Sequence, residues 1–181
     1  GISMLRIVTD SSAGIPGDLL ETYDIEVVPL KVHFGRTAYQ EGVDIDSREF
    51  YRLLSQAQEL PTTSQPSAGE FHEVYSRLTA NGDSVISIHI SSKLSGTCQS
   101  AMAAKAMLPE ADITVVDTLS VSMGQGMIVL AAAEAVQKGK PRDEVRALVE
   151  RVINGMEILF VVDTLEYLQK GGRIGGAAAF L

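Results

Sequence analysis

The side chains with chemistry to offer are grouped in hydroxyl-rich stretches: T-D-S-S at 9–12, T-T-S at 62–64, S-S-K-L-S-G-T at 91–97, D-T at 117–118 and D-T at 163–164. The stretch at 91–97 is the fullest. It follows an apolar run, residues 85–90, and leads into A-M-A-A-K-A-M-L, which reads as a helix. A strand that ends in hydroxyls and opens a helix is a place to hold an anion, because the first helical N–H groups have no partner within the helix. Ser95 is positioned as an N-cap, and Gly96 admits a ligand close to the backbone. Ser95 capping its own helix and nothing more accounts for the same spacing.

Groupings that transform a substrate are harder to find. Ser95 lies in K-L-S-G-T and not in a Gly-x-Ser-x-Gly elbow, and no Gly-Lys-Ser/Thr phosphate loop occurs. His33, His72 and His89 lack metal-ligand spacing, and His89, inside an apolar run, reads as a satisfied core residue. Cys98 reads as a packed thiol. Asp10 and Asp117 are candidates for a carboxylate pair, although loop-fixing explains both. We therefore expect no catalytic residues, no metal site and no cofactor. The residue types favour holding a ligand over converting it. An alternative is an enzyme acting on a small phosphorylated or hydroxylated substrate, with Asp10 or Asp117 as acid or base. A third reading is an interaction module docking through residues 171–176.

The elements that must position these stretches follow from the apolar pattern. Residues 5–8, 85–90, 113–116 and 158–162 read as short buried strands, and most strands are apolar runs without period-two alternation. Residues 25–34 form one longer extended run, and 37–43 a hairpin or edge strand. Asp46-x-x-Glu49 and Ser67-x-x-Glu70 are capping boxes that open helices over 47–57 and 68–80. Further helices are expected over 16–23, 123–138 with Gly139 just past the end, from Pro141 to about 153, and 165–170. Residues 60–67, bounded by Pro61 and Pro66, read as a stiff extended loop. Gly124-x-Gly126 reads as a packing feature. Strands alternating with helices, and buried on both faces, predict an α/β fold: a mainly parallel sheet with helices on both faces, three layers α/β/α. Ligands in such sheets bind beyond the carboxyl ends of the strands, which is where four of the five polar stretches fall.

Composition narrows the function further. Of 181 residues, 45% are hydrophobic and 21% charged, enough for a core and against disorder. A net charge of −8 disfavours nucleic acid as a partner, though it does not exclude a bound anion. With Cys98 as the single cysteine, no internal disulfide forms and a cytoplasmic location is expected. No apolar run is long enough for an integral membrane segment. Gly1-Ile2-Ser3 reads as a cloning remnant. The glycine-rich stretch at 171–176 reads as a linker opening another helix. We expect an N-terminal α/β domain over 4–163 and a linker with the start of a truncated second domain over 164–181.

T-D-S-S at 9–12, T-S-Q-P-S at 63–67, S-S-K-L-S-G-T at 91–97, V-V-D-T at 115–118 and L-E-Y-L-Q-K-G-G-R-I-G at 165–175 together resemble the DegV family of bacterial fatty-acid-binding proteins. The resemblance runs along nearly the whole chain in the family's order. It implies a single long-chain fatty acid as ligand in a tunnel, with Thr63 and Ser95 on its carboxylate and Thr62, Ser64, Gly96, Thr97 and Ser11 around it. It also implies a fatty-acid kinase as a possible partner, with Arg173 in the docking surface. The family's C-terminal domain would lie beyond Leu181. The energetics suit such a ligand. Burying a methylene contributes ~0.8 kcal/mol, so about fourteen of them gross ~11 kcal/mol. One hydrogen bond to a carboxylate nets only ~1.5–3 kcal/mol. The tail supplies affinity and the hydroxyls orientation.

Overall fold

The structure, a computed structural model, describes residues 2–156. The expected strand at 158–162, the helix at 165–170, Asp163-Thr164, the 163/164 domain boundary and Arg173 lie outside the described residues.

The runs at 5–8, 85–90 and 113–116, with the front of the run at 25–34, become parallel strands covered by helices on both faces. β1 (Leu5–Asp10), β2 (Ile25–Val28), β6 (Ser84–His89) and β7 (Ile113–Asp117) form one sheet in the order β2-β1-β6-β7. Alternation along each strand sorts the core into two halves. Ile7, Ile25, Ile86 and Ile88 face α5 (Met123–Gln137) and α6 (Arg142–Gly155), packing on Ile128, Val129 and Val145. Val8, Val28, Val85 and Ile113 face α3 (Ala68–Thr79) and α4 (Thr97–Ala106), packing on Phe71, Tyr75 and Ala101. The expected three-layer arrangement is present. α1 (Gly17–Thr22) connects β1 to β2, preceded by a 3-10 turn at Ser11–Ala13.

The run at 25–34 is not one strand. Pro29 offers no N–H to a ladder. The chain leaves the first sheet at Val28 and begins a second at Lys31. β3 (Lys31–Phe34) is the centre of a small antiparallel sheet, with β4 (Thr37–Gln40) on one side and β5 (Thr62–Ser64) on the other. The stiff loop expected at 60–67 is thus partly a strand. Three of the four residues between its prolines pair, and β3 supplies the partner. Between β4 and β5 runs α2 (Ser47–Gln56), whose Phe50 packs on Phe34 at 5.7 Å.

Both capping boxes open helices. The Ser67 box is complete, with Ser67 Oγ accepting from Glu70 N–H and the Glu70 carboxylate accepting from Ser67 N–H. Asp46 caps α2 by accepting from Glu49 N–H, while the Glu49 carboxylate turns to Arg52. Gly139 ends α5 with φ +78°, a left-handed turn that suits glycine.

The Gly124-x-Gly126 spacing is a packing feature with unequal members. A Cβ on Gly126 would lie 2.8 Å from the Ala13 carbonyl oxygen, whereas one on Gly124 would meet Ser120 at 3.4 Å. Gly126→Ala is therefore expected to push α5 off the 3-10 turn and cost ~1–3 kcal/mol, the usual range for overpacking. Gly124→Ala should shift a denaturation midpoint little. Equal midpoints for the two variants would refute this account.

Candidate functional site

In the order β2-β1-β6-β7 the connections run one way from β1 to β2 and the other way from β6 to β7, so the switch point lies between β1 and β6. Crevices for ligands open at such points, beyond the carboxyl ends of the strands. The stretches at 9–12, 91–97 and 117–118 all lie on this edge, as expected. The crevice itself is closed by a side chain. Asp10, fully buried, accepts through Oδ2 from His89 Nδ1 (2.9 Å), Ile90 N–H (3.1 Å) and Gln125 Nε2 (3.1 Å). Its Oδ1 accepts from Ser12 N–H (3.0 Å) and lies against Ser12 Oγ. Burial by itself raises the Asp10 carboxyl; the hydrogen bonds from His89, Ser12 and Ile90 outweigh it and hold the group below its ordinary value.

Behind His89 the hydrogen bonding continues into the core. Ser87 Oγ lies 2.5 Å from His89 Nε2, and Tyr75 Oη donates to Ser87 Oγ at 2.7 Å. All three side chains have no solvent exposure, and Phe71 stacks edge-on to His89 at 5.0 Å. Ser87, His89 and Asp10 thus have the types and order of a hydrolytic triad, but all three side chains are closed off from solvent. His89 is the satisfied core residue that its apolar strand suggested. Asp10 and Asp117 keep separate partners: Asp117 accepts from Ser92 and from Leu119 N–H. Cys98 is buried with its thiol pushed up to about 12, by burial first and by the charges of Asp117 and Asp10, which makes it a poor nucleophile.

The open space is displaced from the crevice toward the second sheet. A cleft of ≈ 640 Å³ lies between the end of β1, the 3-10 turn, β3 and α2. That volume is in the range of small-molecule sites. Its walls are chiefly apolar, with Ile15, Leu20, Val27, Val32, Ile45 and Phe50, and its polar rim includes Ser11, Glu41 and Thr63.

Strand alternation decides which hydroxyl of 62–64 reaches this cleft. Thr63 pairs with Val32, and both line it. Thr62 and Ser64 point to the opposite face, where Ser64 Oγ bonds His33 Nε2 at 2.8 Å. Ser11 lines the cleft and accepts from Leu30 N–H at 2.9 Å.

Ser95 is not the N-cap of α4; Gly96 holds that place. Ser95 Oγ instead bonds Thr97 Oγ1 (2.8 Å) and accepts from Thr97 N–H, and Thr97 is fully buried. The stretches at 62–67 and 91–97 abut through Gln65. A Cβ on Gly96 would lie 2.9 Å from Gln65 Nε2, so the absence of a side chain there lets the two meet. Ser95, Gly96 and Thr97 stand at this junction, outside the cleft walls that include Thr63 and Ser11.

The T-S-Q-P-S segment is held from both ends. β3 pairs with it on one side. On the other, Glu70 of the Ser67 capping box also receives Lys31 Nζ of β3 at 2.9 Å.

Sequence reasoning passed over Gln65, Glu41, Ser87, Tyr75 and Gln125. Gln125 left a signal, being a fully buried amide in an otherwise apolar helix stretch, M-G-Q-G-M-I-V-L. Glu41 on the cleft rim is raised, by burial first and by the Asp10 charge second. A carboxyl raised on folding disfavours the ionised fold. Its cost is absent below the ordinary value of 4.5, sets in above it, and is complete once pH passes the raised value. Glu41→Gln is therefore expected to raise Tm at pH 7, with the gain vanishing below pH 4.5. A gain independent of pH would rule out this electrostatic cause.

No helix among the described residues is long and apolar enough to cross a membrane, and no described cluster of His, Cys, Asp and Glu could hold a metal ion. A family model described as "Uncharacterised protein, DegV family" matches residues 4–181. A DegV domain-containing protein of Clostridium perfringens is 42% identical over 179 residues, which are 97% of this chain and 63% of that protein. Among solved structures, DegV of Bacillus subtilis, described as a fatty acid binding protein, superposes with a TM-score of 0.92 at 38% identity, over 99% of this chain and 64% of that one. A protein of Eubacterium ventriosum, described as binding stearic acid, gives 0.89 at 31% identity, over 96% and 61%. The chain thus spans somewhat less than two thirds of the relatives it matches.

Proposed function

The chain belongs to the DegV family, and on that premise we propose that it binds one long-chain fatty acid and carries or presents it. The observation that carries this reading is the pairing of an apolar cleft with a hydroxyl rim on which Thr63 sits, beside the Gln65–Gly96 junction that brings the 91–97 loop alongside. Thr63 and Ser95 are proposed to take the carboxylate, with Gly96, Thr97 and Ser11 around it and Thr62 and Ser64 as chain neighbours of Thr63 that face away from the cleft. Glu41 and Asp10 repel a carboxylate at their end of the cleft, so the head group is expected toward the Thr63 and Gln65 side. Carriage in place of catalysis is supported by the closure of Ser87, His89 and Asp10 and by the inert Cys98 thiol.

Native mass spectrometry of the intact protein purified from cells tests the reading. An added mass of a long-chain acyl group is expected, lost on denaturation. A clean apo mass from several hosts, with no uptake of added palmitate, would defeat it. A finer part of the proposal concerns presentation to a fatty-acid kinase, with Arg173 in the docking surface and a cytoplasmic location. It rests on the match of residues 165–175 to the family motif and on the single cysteine.

A further inference from the structure

The ladder that joins β1 to β6 ends at the rung Thr9↔Ile88. Beyond it no backbone pairing between these strands holds the two chain segments that lead to the proposed head-group residues. One side chain takes over there. Asp10 Oδ2 accepts from Ile90 N–H, which fixes where the 91–97 loop departs. From Ile90 the path is short, since Ser91 C=O receives the N–H groups of Leu94 and Ser95. Asp10 Oδ1 accepts from Ser12 N–H and so caps the 3-10 turn carrying Ser11. Ser11 Oγ in turn receives Leu30 N–H at the entry to β3, and β3 pairs with Thr63. The routes to Ser95 and to Thr63 both begin at this carboxylate.

We propose that Asp10 is a positioning residue for the fatty-acid site, setting the two hydroxyl-bearing segments at one spacing through hydrogen bonds that only an acceptor can make. This rests on the proposed fatty-acid reading. The groups facing the carboxylate are all donors: Ser12 N–H and O–H, His89 Nδ1–H, Ile90 N–H and the Gln125 amide. An asparagine of the same shape turns an NH₂ toward that wall. His89 is held ready for the part by the hydrogen bonds behind it. Tyr75 donates to Ser87 Oγ, which lies 2.5 Å from His89 Nε2, so the ring is held from behind with Nδ1 toward Asp10.

The test uses the intact protein with carboxyl-¹³C palmitate as probe and ¹⁵N NMR of His89. The wild type is expected to bind palmitate and to show the Nδ1–H tautomer. Asp10→Asn should weaken palmitate binding at least tenfold and displace the tautomer. Val149→Ala, a buried truncation in the α6 core, serves as control at a temperature where both variants are folded. It should keep wild-type affinity. Should Asp10→Asn fail to fold, His89 decides: His89→Asn keeps a donor near the Nδ1 position and should bind within a few-fold of wild type, while His89→Leu should lose at least tenfold. Unchanged affinity in Asp10→Asn or in His89→Leu overturns the proposal, as does an equal loss in Val149→Ala. Failure of the wild type to take up palmitate overturns instead the fatty-acid reading, with the tautomer result still standing on its own.

Discussion

A Thr63→Val, Ser95→Ala double variant is expected to lose long-chain fatty acid affinity by two orders of magnitude or more while keeping its fold. Each hydroxyl donating to an ionised carboxylate is worth ~1.5–3 kcal/mol, so two that act independently contribute ~3–6 kcal/mol. A tenfold change in affinity is ~1.4 kcal/mol, which places the combined loss at ~10²–10⁴. The apolar tail keeps its burial, so residual binding with a disordered head group is expected in place of abolition. Stability should change little. Thr63 is exposed, and valine suits β5 at least as well. Ser95 loses its bond with Thr97, at ~1 kcal/mol. Titration with palmitate checks the result, and circular dichroism checks the fold. An affinity within threefold of wild type would remove both hydroxyls from the head-group site.

The largest expected effect on stability is at Tyr75. Its ring has no solvent exposure and packs on Phe71 at 5.7 Å, in the core half between the sheet and α3. Tyr75→Ala should cost ~3–5 kcal/mol, the range for truncating a large buried ring. That is a large share of the ~5–15 kcal/mol that holds a domain folded. Tyr75→Phe separates the ring from its hydroxyl. It keeps the packing and removes one donor to Ser87, at ~1 kcal/mol. Urea unfolding should therefore rank wild type, then Phe, then Ala, with most of the loss between the last two. If Phe were as costly as Ala, the hydrogen bonding to Ser87 and His89 and not the packing would dominate this part of the core.

Much of the architecture is written in local pattern. Largely apolar runs at 5–8, 85–90 and 113–116 favour burial on both faces, which a covered parallel sheet provides. Ser67 and Glu70 satisfy each other within one turn, so their helix start is legible without knowing its neighbours. The hydroxyl stretches at the strand ends follow from the same runs, because a parallel sheet puts every carboxyl end on one edge.

What tertiary structure decided is pairing at long range. Residues 25–34 read as one run because hydrophobicity does not record which sheet a residue joins; Pro29 marks the break, but only the partners of β2 and β3 make it two strands. Thr62, Thr63 and Ser64 carry no apolar alternation, so their strand exists only because β3 lies beside them. That pairing turns Thr63 to the cleft and Ser64 to His33. Asp10 could be paired with Asp117 or assigned to a cap while its donors were unknown. They come from positions 12, 89, 90 and 125, and the sheet order alone gathers them around one carboxylate. Local sequence sets which face of an element is buried; which distant groups then meet across that face depends on the order in which the strands assemble.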